Sequence, residues 1–253
     1  MDIVDKVNNS RYTLKSILSD EWDTSTIADL SREEIEKMYT VPSSSTSLIP
    51  LGNASGCNFS IRHKHIPSHR LHIIYFNFPE IGRQSSKVTK SACDKIESLY
   101  SSGMIDFEDS VFVIINDNVS ESLEKSFTDL NIRLMNELEA NQDIDSMEQI
   151  KKEMEENNFP LQIRHFRNVY IFGIDGLTNN MLQHRLVPKH KQIRDPDEIQ
   201  KVLTRCNCSL QQLPIILKND AISKLKRLTT GDVCEITRKS VKCGQYPFYR
   251  VCK

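Results

Sequence analysis

Ser110-Val111-Phe112-Val113-Ile114-Ile115-Asn116 decides the fold of the first part of this chain. It is a short, nearly all-apolar run, as expected of a central strand buried on both faces and flanked by helices. Working outward, Cys57–His65 and Leu71–Phe78 alternate or run apolar around Pro67-Ser68, which predicts two strands joined as a hairpin. Ser91–Tyr100 reads as a helix with Gly103 as its stop. Ser120-Glu121-Ser122-Leu123 opens another, with Leu123, Phe127, Leu130 and Leu134 along it, and Asn168–Gly173 supplies a further strand. Strands alternating with helices predict an α/β domain. Nearer the start, Arg11–Trp22 reads as a helix, and Ser31-Arg32-Glu33-Glu34 as a capping box with Ser31 as N-cap. Pro42–Pro50 reads as a loop. The acidic segment Asn141–Asn158 is either a solvated helix or a mobile insertion.

Past residue 182 the character changes. Residues 183–253 hold 15 Lys and Arg against 6 Asp and Glu, a net of +9, while the first 182 residues hold 18 against 28, a net of −10. Two domains are expected, 1–182 and 183–253. The second opens on a well-marked helix. Asp195 is its N-cap, Pro196 takes the first helical position, Asp197 and Glu198 fill the first turn, and Ile199, Val202 and Leu203 form the apolar side. Asp220 starts a second short helix through Ile222 and Leu225. Val233 and Ile236 lie near strand periodicity, Cys243-Gly244-Gln245 makes a turn, and Phe248–Val251 returns. The expected module is a small α+β domain of short helices and one hairpin. Its positive charge suits nucleic acid or an acidic protein, and charge alone does not choose between them.

No phosphate-binding glycine loop, no G-x-S-x-G elbow and no H-E-x-x-H occurs. Of seven cysteines, five lie in the second domain, and only Cys206-Asn207-Cys208 is closely spaced. One intervening residue is not the paired C-x-x-C of structural zinc, so these read as reduced thiols or small buried hydrophobes. His63, His65, His69 and His72 crowd together, with His63 and His65 on one strand face. The segment Arg62–Arg70 contains no cysteine or carboxylate and reads as a basic surface patch rather than a metal site. A nuclease needs carboxylates to hold a divalent ion at the scissile phosphate. The chain has no E-x-K, and its central strand bears no carboxylate. No cofactor, metal or catalytic residue is expected. No run of eighteen apolar residues predicts a membrane span, and Met1-Asp2-Ile3-Val4-Asp5 lacks the pattern of a signal peptide, so an intracellular protein is expected.

Four words stand in fixed order within the basic module. They are His184-Arg185-Leu186-Val187-Pro188-Lys189-His190, Ser209–Ile216 (SLQQLPII), Gly231–Ser240 (GDVCEITRKS) and Gly244–Cys252 (GQYPFYRVC). This order resembles the fifth-subunit family shared by eukaryotic RNA polymerases I, II and III, whose short form is the corresponding subunit of archaeal RNA polymerase. Over Asn9–Leu182 the resemblance is one of layout. Its one local echo there is Phe112–Asn118 followed by Val119-Ser120-Glu121-Ser122, with Glu121 where the family has Pro.

The resemblance implies a non-catalytic polymerase subunit. Its C-terminal assembly domain would pack on the largest RNA polymerase subunit, among other polymerase subunits. Its N-terminal jaw, an α/β domain of nuclease-like fold without an active site, would lie beside downstream duplex DNA. Subunit-interface residues would then be His184, Leu186, Val187, Pro188, His190, Leu213, Pro214, Gly231, Val233, Arg238, Tyr246, Tyr249 and Arg250. DNA-proximal residues would be Arg62, Lys64 and Arg70, in the densest basic segment of the jaw, with His63, His65 and His69 alongside. The same residues also serve plain structural ends: Leu186-Val187-Pro188 and Leu213-Pro214 as core and turn, Gly231 as a turn, Tyr246 and Tyr249 as strand aromatics. Departures from the family are Thr229-Thr230 where a basic pair is usual, Ala221 for a Pro, and Gln245 for an Arg. The length and the 141–158 segment exceed the usual form, which points to a large cytoplasmic DNA virus or a divergent protist. The location would be the nucleus for a cellular protein, and the virion or host cytoplasm for a viral one. Two other readings are a nuclease-like DNA-processing protein and a free DNA-binding transcription factor.

Overall fold

A computed structural model describes residues 1–40, 53–83, 87–141, 145–157, 159, 161–242 and 244–253. The predicted loop Pro42–Pro50 lies outside them. The chain forms two compact units. Unit 1 comprises Met1–Asn157 and Phe166–Asn180, and unit 2 comprises Asn158–His165 and Met181–Lys253. No helix among the described residues is long and apolar enough to cross a membrane.

Unit 1 is built on strands β1 (Phe59–Arg62), β2 (Arg70–Phe76), β3 (Ser110–Ile115) and β4 (Val169–Gly173), in the order β1-β2-β3-β4. The β1–β2 pair is antiparallel, and β3 runs parallel to both its neighbours. All six residues of β3 are buried. A strand walled in on both faces and both edges can be apolar throughout, which is why this run carried the fold class.

Helices α3 (Ser91–Ser101) and α4 (Glu121–Ala140) cover one face. Ala92, Cys93, Ile96 and Leu99 meet Leu123, Phe127, Leu130 and Leu134 over Ile74, Val111, Val113, Ile115 and Ile171. Ser120 caps α4, its hydroxyl accepting from the Leu123 amide at 3.4 Å. Tyr75 points to the opposite face and bonds Ser10 of helix α1 (Ile3–Leu18) at 2.8 Å. Helix α1 begins eight residues before the predicted Arg11 and stops at Leu18. The Asp2 carboxylate caps it at 2.7 Å and Val4 and Val7 extend its buried side. Trp22, expected within the helix, instead forms an isolated bridge with His63. Helix α2 (Arg32–Thr40) has the predicted capping box, with Ser31 N to Glu34 at 2.7 Å and Glu34 N to Ser31 at 3.3 Å. At the end of β4, a side chain on Gly173 would strike the Asp117 carbonyl, 2.8 Å from its Cβ position.

The acidic segment contains helix α5 (Asp145–Asn157), which is docked rather than solvated all round. Met147 and Ile150 are buried. The Glu153 carboxylate accepts from the Ser68 hydroxyl at 2.6 Å and the Ser68 amide at 3.2 Å, and Asn157 donates to the His65 carbonyl at 2.9 Å.

Unit 2 contains β5 (Lys189–Ile193), α6 (Pro196–Cys206), β6 (Ile215–Ile216), α7 (Ala221–Leu225), β7 (Val233–Ser240) and β8 (Gly244–Cys252). Asp195 caps α6 and Asp220 caps α7 as the sequence predicts. The predicted hairpin is β7–β8, but it sits inside a four-stranded sheet of order β5-β7-β8-β6. The two outer strands escaped sequence reading for different reasons. Lys189-His190-Lys191-Gln192-Ile193 is too polar to resemble a strand, and β6 has only two residues. The sheet has apolar clusters on both faces. Val233, Tyr249 and Val251 pack with Val202, Ile199 and Leu203 of α6 and with Leu213. Cys234, Ile236 and Cys252 pack with Ile216 and Leu228.

Candidate docking and nucleic-acid surfaces

The predicted interface residues of unit 2 separate into three groups. Leu213, Val233 and Tyr249 lie in the core at 6%, 0% and 6% exposure, so they build the module and do not present a surface. Their burial fits the core and strand roles that the sequence also offers Leu213 and Tyr249. Period-two alternation put Val233 and Tyr249 on the face that α6 covers.

A second group lies at the surface. Leu186 is 75% exposed, and His184 beside it accepts the Leu186 amide at 3.2 Å. Val187, Pro188 and His190 are half-buried and Pro214 is exposed. The His190 Nδ1–H donates to the Pro188 carbonyl at 2.7 Å, and burial pushes its imidazolium below the ordinary histidine range. Arg238 and Arg250 both lie over Phe248, at 4.0 and 5.7 Å from its ring centre, and Tyr246 pairs with Arg238 across the ladder. Guanidinium groups stacked on an aromatic ring keep their charge and free N–H donors for a partner.

Sequence reasoning missed Ile215 and Leu217, which are 48% and 66% exposed while Ile216 between them is buried. They lie on and beside β6, an outer strand of the sheet. The available signal was the uninterrupted Ile215-Ile216-Leu217, more apolar than a two-residue strand needs for one buried face.

The third group centres on Gly231 and its neighbour. Gly231 has φ +95°, and a side chain there would collide with the Arg164 guanidinium. Next to it Asp232 is wholly buried. One carboxylate oxygen accepts from Arg164 Nη2 at 3.0 Å and His165 Nε2 at 2.9 Å. The other accepts from the Thr229 amide at 3.0 Å and its hydroxyl at 3.3 Å, with Arg194 Nε at 3.6 Å. Burial pushes the carboxyl up, but the His165 bond, the charge of Arg194 and the bond from the Thr229 amide outweigh it and hold Asp232 below the usual carboxylate range. Burial pushes His165 the other way, below the ordinary histidine value, against the pull of Asp232. The Gln162 amide donates into His165 Nδ1 at 2.8 Å, so the proton sits on Nε2 and points at Asp232. His165 is therefore a neutral donor near pH 7. Through this carboxylate a short segment preceding β4 is fastened into the C-terminal unit.

In unit 1 the basic segment is less open than its sequence suggests. His63 and His69 are both 2% exposed and pack on Trp22, at 5.3 and 5.1 Å between ring centres. This corrects the reading of both as members of a basic surface patch, because Trp22 and the β1–β2 connection enclose them. His63 Nδ1 accepts from the amides of His65 and Ile66, which shapes that turn. His72 bonds the buried Asp109 at 2.8 Å. Arg70 lies 3.8 Å from Asp106, and Lys64 donates to the Ser19 carbonyl at 2.7 Å. Arg62, Lys64 and His65 remain exposed.

Comparison with known proteins bears on unit 2. The family described as RNA polymerase Rpb5, C-terminal domain, matches residues 179–252. The DNA-directed RNA polymerase subunit Rpo5 of Methanosphaera stadtmanae is 44% identical over 72 residues, which is 28% of this chain and 92% of that protein. The subunits of the same name from Sulfurisphaera tokodaii and Aeropyrum pernix are 41% and 37% identical over 68 and 70 residues. Those alignments cover 27% and 28% of this chain, and 80% and 77% of the archaeal proteins. A relative matched along nearly its whole length at this identity places the chain, through its C-terminal unit, in the RNA polymerase subunit family of Rpb5 and archaeal Rpo5.

Proposed function

We propose that this protein is a non-catalytic subunit of a multisubunit DNA-dependent RNA polymerase. In this reading unit 2 docks on the largest subunit and unit 1 acts as a jaw near downstream DNA. One observation carries it: the stretch resembling a nearly complete archaeal polymerase subunit coincides with a module that has its own sheet and apolar clusters. The location of the chain then follows that of its polymerase, in the nucleus for a cellular enzyme and in the virion or host cytoplasm for a viral one.

The docking part of the proposal rests on exposed apolar and stacked cationic side chains. Exposed apolar groups at a sheet edge gain most when a partner covers them. Replacing Ile215 and Leu217 together by Asp should leave unit 2 folded, since neither is buried. It should lower recovery of the largest subunit with the tagged protein by about tenfold or more. Unchanged recovery with a folded variant would move the docking surface elsewhere.

The DNA part rests on Arg62 and Lys64, with Arg70 shared with Asp106. Phosphate contacts weaken as salt rises because counterions are released on binding. Arg62→Ala, Lys64→Ala and Arg70→Ala combined should leave assembly intact and flatten the salt dependence of elongation-complex stability. An unaltered salt slope on assembled polymerase would remove this segment from the DNA path and leave the subunit reading standing.

A further inference from the structure

We propose that the free end of the β7–β8 ribbon is a second docking surface of unit 2, which takes an acidic protein segment carrying an apolar side chain. The proposal rests on the reading of this chain as a polymerase subunit and names the chemistry of a further contact within that assembly. The ribbon outruns the strands beside it. Strand β5 pairs with β7 only as far as Thr237, and β6 pairs with β8 only at Val251 and Cys252. The β7–β8 ladder continues to Ser240 and Gly244. Strand β8 is nine residues long, so its Gly244 end lies roughly 25 Å from the Cys252 end that meets β6. The ribbon end is therefore a surface apart from Ile215 and Leu217.

Charge and side-chain type choose the occupant. Residues 236–253 hold Arg238, Lys239, Lys242, Arg250 and Lys253 and not one Asp or Glu. Arg238, Tyr246, Phe248 and Arg250 share the face turned away from α6. Leu228 and Ile216 cover the near end of that face, around Cys234, Ile236 and Cys252. Beyond Phe248 it opens, and Tyr246 is 37% exposed. The two guanidinium groups resting on the Phe248 ring are ordered before a partner arrives, and each can match a carboxylate with two parallel N–H bonds. Arginine and tyrosine grouped around phenylalanine is the composition of the energetic centre of protein interfaces. Val241 at the tip is fully exposed, an apolar group that a phosphate backbone would leave idle. These features favour a protein over a nucleic acid. The open edge of β8 does not invite another strand. The Val251 amide donates to the Pro214 carbonyl and the Lys253 amide to the Ile216 carbonyl, so the odd-numbered residues turn their backbone groups toward the β6 side. On that side Pro247 has no amide to offer. The contact is therefore made by side chains on the face.

The test uses the complex recovered with the tagged full chain. Lys239 and Lys242, both exposed near the tip, report on the ribbon. Their acetylation by N-hydroxysuccinimide acetate, read by mass spectrometry, should be about tenfold slower in the complex than in the isolated chain. The protection should survive nuclease treatment. A carbodiimide, which joins an amine directly to a carboxylate touching it, should link Lys239 or Lys242 to an Asp or Glu beside an apolar residue of another subunit. Arg238→Ala combined with Tyr246→Ala removes no core side chain and should cut that cross-link about tenfold, while the β6 edge still recovers the largest subunit. Equal acetylation in the complex and in the isolated chain would overturn the inference. So would protection without any cross-link to a carboxylate, or protection that nuclease abolishes, which would give the ribbon to a nucleic acid. An eluate without polymerase subunits would instead refute the subunit reading itself, and the inference with it.

Discussion

Replacing Asp232 by Ala removes the one buried acceptor that serves Arg164, His165, Thr229 and Arg194 together. The cost follows from what is left behind. Arg194 is 8% exposed and Thr229 2% exposed, so a guanidinium and a backbone amide each lose a carboxylate partner away from water. Removing one member of a buried ion pair costs about 3–5 kcal/mol. The Arg164 side chain is 31% exposed and recovers solvation, so its share is small and the lower end applies. A loss of about 3 kcal/mol corresponds to opening roughly 100-fold more often. Native-state hydrogen exchange of the β7 and β8 amides reads this directly, since those strands carry the unit's core. The variant should exchange there about 100-fold faster. Protection in β7 and β8 within about threefold of the native chain, a change of about 0.6 kcal/mol, would refute the assignment of Asp232 as the hub of unit 2.

Two other outcomes follow from the same geometry. Acid should weaken unit 2. The folded value of His165 lies below its ordinary 6.5, so the unfolded chain takes up that proton first and stability falls as pH drops through about 6.5. The Asp232 contribution is lost further down, below 3.8, because its folded value is also depressed. Asp109 in unit 1 has the opposite sign. Burial raises it despite the bond to His72, so its ionisation costs unit 1 stability as pH rises through that raised value. Urea unfolding followed by amide signals of β7 and of β3, at about pH 7 and about pH 5, should show unit 2 losing stability and unit 1 moving less. A midpoint for β7 that does not fall in acid would contradict the protonation states given to His165. Separately, Asn131 of α4 closes the outer edge of β4, donating to the Val169 carbonyl at 2.8 Å and accepting its amide at 2.7 Å. Asn131→Ala strips both bonds and should cost unit 1 about 1–3 kcal/mol in unfolding followed by Trp22 fluorescence. Unchanged stability would mean solvent replaces the side chain.

Much of this architecture was legible in the residues, for reasons local to each element. The β3 run is apolar because it is enclosed on all sides, and α4 and α6 announce themselves through Ser120 and Asp195. What stayed hidden depends on contacts far apart in sequence. His63 and His69 look like charge in a basic string, and only the placement of Trp22 turns them inward. The acidic helix α5 reads as solvated until Glu153 and Asn157 meet the β1–β2 connection. Arg164 and His165 belong by sequence to the approach of β4, yet they bond Asp232, which lies 67 or more residues later. A fragment cut at Gln183 would discard both. The site residues were legible as a set of words but not as a surface. Position in a word does not say which side of a strand faces α6, and Val233 and Tyr249 lie on that side.

The most direct test of the central claim is to express the full chain with an affinity tag in its native cell, purify it gently and identify what co-elutes. The account expects the two large RNA polymerase subunits in amounts equal to the tagged chain, in a complex that synthesises RNA on a DNA template. A chain that elutes alone, whether it cuts DNA with magnesium or merely binds it, would contradict the assignment as a polymerase subunit.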